Sequence, residues 1–116
     1  MKIPGRRKYG NTRTVVDGIT FASKKEAKRW GELRLLEKVG AITDLQRQVR
    51  FALEVNGVKV CTYVADFQYR EPLPDHLGVT GRSELVVEDC KGFRTPEYKL
   101  KAKLMKAVHG ITIRET

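Results

Sequence analysis

Long apolar runs are missing from this sequence. No stretch approaches the ~18 residues of a membrane-spanning helix, so no membrane span is expected. Cysteine is scarce as well. Cys61 and Cys90 cannot make the disulfide framework of a small secreted domain, and the basic start MKIPGRRKYGN lacks the apolar segment of a secretory signal. A reducing cytoplasm is the expected compartment. Neither cysteine has the His/Cys spacing of a zinc site, and His76 and His109 have no partners nearby in sequence. Repeats and low-complexity segments are absent. At 116 residues the chain is long enough for one core and too short for two.

Acidic residues are also under-represented, fourteen against twenty-three basic, for a net charge of +9. The excess is clustered. Residues 1–30 carry nine basic side chains against Asp17 and Glu26, and Lys91 to Lys106 carries six against Glu97. Clustered positive charge is the footprint of a polyanion binder, usually nucleic acid, although a soluble protein with basic helix faces gives the same count.

Residues 1–12 read as a flexible basic arm, with 13–116 as a single domain. TRTVVDGITFAS predicts a short strand or hairpin turning at Asp17-Gly18. Ser23-Lys24-Lys25-Glu26 matches a capping box, and the helix it opens should run to about Val39 and stop at Gly40. TDLQRQVRFALEV and VKVCTYVADFQY flank Asn56-Gly57, a strong hairpin signal. REPLPDHLGVTGR reads as a loop from Arg70 to Arg82, and SELVVEDC as a third strand. Thr95 is the expected N-cap of a basic amphipathic helix with Pro96 at its first position, ending at Gly110, and ITIRE is a last short strand. The order α-β-β-β-α-β implies a mixed α+β fold, with a right-handed crossover placing the last strand parallel to a partner in a central sheet flanked by helices.

Alternation along the third strand puts Leu85, Val87, Asp89 and Lys91 on one face and Val86, Glu88 and Cys90 on the other. Asp89 and Lys91 are then roughly 6–7 Å apart along the strand. On the preceding strand Asp66 interrupts TYVADFQY, where a carboxylate is costly unless something pairs with it. If the two strands are antiparallel neighbours, Asp66 and Asp89 converge on one cation with Lys91 beside it. Singly, each charge is equally consistent with a salt bridge or a solvated strand end. Glu26 closes the capping box, yet Trp30 at i+4 and Leu33 at i+7 place it on an apolar stripe facing the sheet.

These residues resemble the PD-(D/E)XK nuclease superfamily: Asp66, then Asp89-x-Lys91, with Glu26 on a preceding helix. More narrowly, YGNTRTVVDGITFASKKEAKRWGELRLLEKVGAI, YVADF and VVEDCKGFRTPEYKLKAKLM resemble a family of small phage and prophage proteins assigned to that superfamily. The resemblance covers the chain from Tyr9 onward and implies a restriction-endonuclease-like αβββαβ core. It implies that Asp66, Asp89 and the Cys90 carbonyl hold Mg²⁺ (or Mn²⁺), with Lys91 as the catalytic lysine and Glu26 as a further ligand, directly or through water. Ala65 stands where a proline often precedes the first aspartate. The motif spacing selects Asp89; a local bulge would select Glu88 instead.

The implied activity is metal-dependent endonucleolytic hydrolysis of DNA, with branched DNA as substrate in the manner of a Holliday-junction resolvase, by a homodimer acting in a bacterial host. Nicking or restriction-like cutting of ordinary duplex is the alternative, as is a non-catalytic nucleic-acid-binding module. Arg6, Arg7, Lys8, Lys24, Lys25, Arg94, Lys99 and Lys101 are the expected phosphate contacts. Gln48 either points into the site or is an ordinary strand polar residue. Glu88 is expected as surface charge, and Cys61 and Cys90 as packing residues on the face opposite the site.

Overall fold

The computed structural model describes residues 13–74, 81–90 and 93–116. The N-terminal arm and Lys91 therefore lie outside the described residues. The fold is mixed α+β, as expected. Strands β1 (Thr14–Val16) and β2 (Ile19–Phe21) form a small antiparallel hairpin, turning at Asp17 and Gly18, both at positive φ. Helix α1 (Lys24–Lys38) follows. Strands β3 (Thr43–Val55) and β4 (Val58–Pro72) then make a long ribbon around Asn56-Gly57, both again at positive φ, as a tight hairpin turn requires.

Strand β5 (Ser83–Asp89) pairs antiparallel with β4. Helix α2 (Pro96–Leu104) continues into a π-helical turn over Met105–His109 and stops at Gly110, whose φ of 70° suits a residue without a Cβ. The expected single helix is thus present with its last turn widened. The final strand, β6 (Arg114–Glu115), pairs parallel with β5, giving a sheet of order β3-β4-β5-β6. Strand β4 runs three residues into the segment expected as a loop, because Arg70, Glu71 and Pro72 pair with Leu85, Glu84 and Ser83.

Both helix starts follow their capping residues. The Ser23 hydroxyl accepts from the Glu26 amide at 3.1 Å, and the Thr95 hydroxyl accepts from the Tyr98 amide at 3.0 Å, with Pro96 at N1. Each helix covers its own apolar cluster. Ala27, Trp30 and Leu33 of α1 pack with Phe21, Ile42, Phe67, Tyr69 and Val86. Tyr98 of α2 and Met105 of the π-helical turn pack with Leu53, Tyr63, Ala65 and Val87.

Strict alternation would put Tyr63, Ala65, Phe67 and Tyr69 on one face, yet they divide between the two clusters. Strand β3 divides at the same level: Leu45 packs with the α1 cluster, Phe51 and Leu53 with the α2 cluster. The changeover falls at Gln48 and Asp66. Arg47 pairs with Phe67 and Val49 with Ala65, but Gln48 stands at φ 51° and drops out of the ladder between them. A left-handed residue in mid-strand redirects the chain, so the ribbon feeds one helix before this point and the other after it. Cys61 is corrected by the same irregularity. It packs with Tyr63 and Val87 in the α2 cluster and not on the face opposite Asp89.

Candidate active site

The described carboxylates meet where this irregularity faces the end of β5. Phe67 lies opposite Glu88, so Asp66 comes level with Asp89, and the Cys90 amide donates to Asp66 Oδ2 at 2.9 Å. Burial pushes the Asp66 carboxyl from 3.8 up to about 7, and the neighbouring Asp89 carboxylate adds to the shift; the Cys90 amide opposes it, and Glu26 contributes a further push upward. Two acidic groups in contact resist joint ionisation, and a cation between them would relieve that resistance.

Asp89 is 1% exposed, at the last position of β5, and accepts a hydrogen bond on Oδ2 from the Tyr63 hydroxyl. Burial and the Asp89 carboxylate hold the Tyr63 phenol far above its usual range, so it stays protonated and remains a donor. Glu26 is 5% exposed. Its amide is capped by Ser23, while its side chain turns inward, as the Trp30 and Leu33 stripe requires, and accepts from Gln48 Nε2 at 3.4 Å. Gln48 therefore points toward the carboxylates, and its backbone distortion belongs to the same site. Lys91 is outside the described residues, as are Arg6, Arg7 and Lys8.

Glu88 is not a surface charge. It is fully buried and held by Arg29, whose Nε donates at 2.6 Å and Nη2 at 3.0 Å; the Tyr69 hydroxyl donates at 2.5 Å. The arrangement continues through Arg114, which donates to Tyr69 at 3.3 Å and forms an ion pair with Glu71. Alternation correctly separates Glu88 from Asp89. That opposite face is not solvent, because α1 covers it and brings Arg29 to Glu88.

The basic residues divide. Lys24, Lys25 and Lys28 are exposed along the first turns of α1, and Lys25, Lys28, Arg29 and Glu32 line a cavity of about 220 Å³ together with Cys90 and Thr116. Lys99 is exposed. Arg94 is engaged in an ion pair with Glu115, and Lys101 pairs with Glu97 at 3.2 Å, so these two are partly neutralised within the protein.

The residues not anticipated are Arg29, Tyr63 and Tyr69. Tyr63 and Tyr69 stood in the strand-forming run around Asp66, where aromatic side chains suggest packing and their hydroxyls carry no sequence signal of a partner. Arg29 belongs to the N-terminal basic cluster, where no local signal distinguishes it from the neighbouring lysines.

The donor set suits a hard divalent cation: two adjoining carboxylates supply oxygen ligands, which is how Mg²⁺ is commonly held, with water completing the shell. No group of three or more His, Cys, Asp and Glu side chains among the described residues is arranged to hold a metal ion, so the fit is to a two-carboxylate site and not to a full protein cage. Among the described residues no helix is long and apolar enough to cross a membrane.

No curated protein and no solved structure matches the chain at a significant level. Residues 6–112 match a protein-family description, so the chain belongs to the family described as Protein of unknown function (DUF1064).

Proposed function

We propose that this protein is a metal-dependent DNA endonuclease that hydrolyses phosphodiester bonds. The observation that carries the reading is the meeting of Asp66 and Asp89. A binding module gains nothing from a buried and a half-buried carboxylate that repel each other beside a basic surface, whereas a phosphodiesterase needs them to hold a cation. Bound Mg²⁺ would supply Lewis acidity toward the phosphate and a more acidic water.

In this reading Asp66 and Asp89 are the ligands, and Glu26, braced by Gln48, positions a water at the same site. By the superfamily resemblance Lys91 is the catalytic lysine, and in that role it offsets negative charge on the phosphoryl oxygens. Lys24, Lys25 and Lys28 hold the polynucleotide by its backbone, which fixes position without reading sequence. That mode of binding favours recognition of DNA shape, and with the superfamily resemblance it makes a branched duplex the preferred substrate. One site cuts one strand, so paired cleavage calls for a homodimer.

The test is incubation with Mg²⁺ or Mn²⁺ and end-labelled four-way junction, fork, linear duplex and single strand, alongside Asp66→Ala and Lys91→Ala. Metal-dependent cutting of the junction, lost in both variants, is expected. Absence of cleavage on every substrate rejects the enzyme reading. Equal cutting of linear duplex rejects the junction preference, and full activity in both variants moves the site elsewhere.

A further inference from the structure

Tyr63 stands three residues before Asp66 on β4, yet its hydroxyl reaches Asp89 on β5. Both side chains are deeply buried, Tyr63 at 3% exposure. The ring is fixed between Phe51 and Tyr98, each with its ring centroid 6.4 Å away, and the surrounding wall of Leu53, Ala65, Val87 and Met105 is apolar. A phenol locked in this way has one direction in which to donate, and that direction is Asp89 Oδ2. Its bond fixes Oδ2 and helps set the orientation of the carboxylate about its terminal torsion.

We propose that Tyr63 is a positioning residue for the cation site, acting through Asp89: it touches neither metal nor substrate but fixes the ligand that does. This rests on the reading of Asp66 and Asp89 as metal ligands. Hydrogen-bond partners of this kind orient a ligand before the ion arrives, and losing one typically weakens metal binding by about 10–100-fold. The changeover at Gln48 and Asp66 is what makes the contact, because it carries Tyr63 to the same side as Val87 and Asp89.

Tyr63→Phe keeps the ring between Phe51 and Tyr98 and removes the oxygen alone. Calorimetric titration with Mn²⁺, in the absence of DNA, should show affinity about 10–100-fold below that of the unaltered chain. The Mg²⁺ concentration for half-maximal cleavage should rise in step, with the rate at saturating Mg²⁺ recovering to within a few-fold. Tyr98→Phe, which removes the neighbouring hydroxyl bonded to Glu115, should weaken Mn²⁺ binding far less than Tyr63→Phe. A second readout needs no variant at the contact. The ring carbon bearing the Tyr63 hydroxyl should shift in the NMR spectrum on adding Mg²⁺, with the same midpoint as calorimetry.

Equal Mn²⁺ affinity in Tyr63→Phe and the unaltered chain overturns the positioning role, as does an unmoved Tyr63 carbon at saturating Mg²⁺. Failure of the unaltered chain to bind Mn²⁺ overturns the metal site and the positioning role together. Metal binding weakened by Tyr63→Phe, without cleavage of any DNA, supports the positioning role and rejects the nuclease.

Discussion

Arg29 and Glu88, 59 residues apart in sequence, form a two-pronged ion pair with the carboxylate completely buried. The contact ties α1 to β5 directly beneath the position where Glu88 gives way to Asp89. The guanidinium is held above its usual range chiefly by the Glu88 hydrogen bonds, with burial opposing them. Orienting α1 in this way also orients Glu26, one turn earlier on the same helix.

Removing one partner of such a pair leaves a buried charge uncompensated. Arg29→Met should cost about 3–5 kcal/mol in urea-induced unfolding. The double change Arg29→Met with Glu88→Leu should recover much of that loss, since an apolar pair of similar size carries no unmet charge. Loss of less than ~1 kcal/mol in the single variant would rule out the buried pair as described, since that is the scale of an exposed one.

The Asp66 carboxyl gives stability a definite pH dependence. Its folded-state pKa, raised to about 7, exceeds its ordinary 3.8, so the native state binds the extra proton between those values. Its contribution is fully present below pH ~4 and is lost as pH rises through about 7. Denaturation midpoints in metal-free buffer should fall between pH 5 and pH 8, and Asp66→Asn should flatten that fall. Glu71, lowered by Arg114, works with the opposite sign, but below its ordinary 4.5 and hence outside this window.

Gln48 makes a prediction that contradicts strand propensity. Valine is a better strand former than glycine, but at φ 51° a β-branched side chain is strained. Gln48→Val should destabilise the fold by about 1–3 kcal/mol, whereas Gln48→Gly should remain within ~1 kcal/mol of the parent. Both variants lose the bond to Glu26, so the difference between them isolates the backbone. A valine variant as stable as the glycine one would show a regular ladder at this position.

The exposed lysines of α1 should appear in the salt dependence of DNA binding. Each phosphate contact contributes roughly 0.9 to the slope of log affinity against log salt on duplex DNA. Lys24→Gln, Lys25→Gln and Lys28→Gln should each weaken binding and reduce that slope by about one contact. Arg94→Gln should change it less, because Arg94 already pairs with Glu115. An unchanged slope across the three lysine variants would place the DNA on another surface.

Several features of this protein are set by residues near one another in the chain. Ser23 and Thr95 start their helices because a hydroxyl meets an amide three residues on, and Asp17-Gly18 and Asn56-Gly57 turn because those residues tolerate positive φ. The inward direction of Glu26 and the opposite faces of Glu88 and Asp89 follow from helical and strand periods. Such rules act within a turn or a strand, whereas Asp66 comes level with Asp89 only through the antiparallel register of β4 on β5, with Phe67 opposite Glu88. What covers each face is another matter. The partner of Glu88 sits on α1, the donor to Asp89 arrives only because the β3–β4 ribbon changes sides at Gln48, and no local rule predicts a glutamine at φ 51° inside a strand. These depend on how helices and strands distant in sequence pack together, because burial and pairing are properties of the assembled layers and not of any single segment.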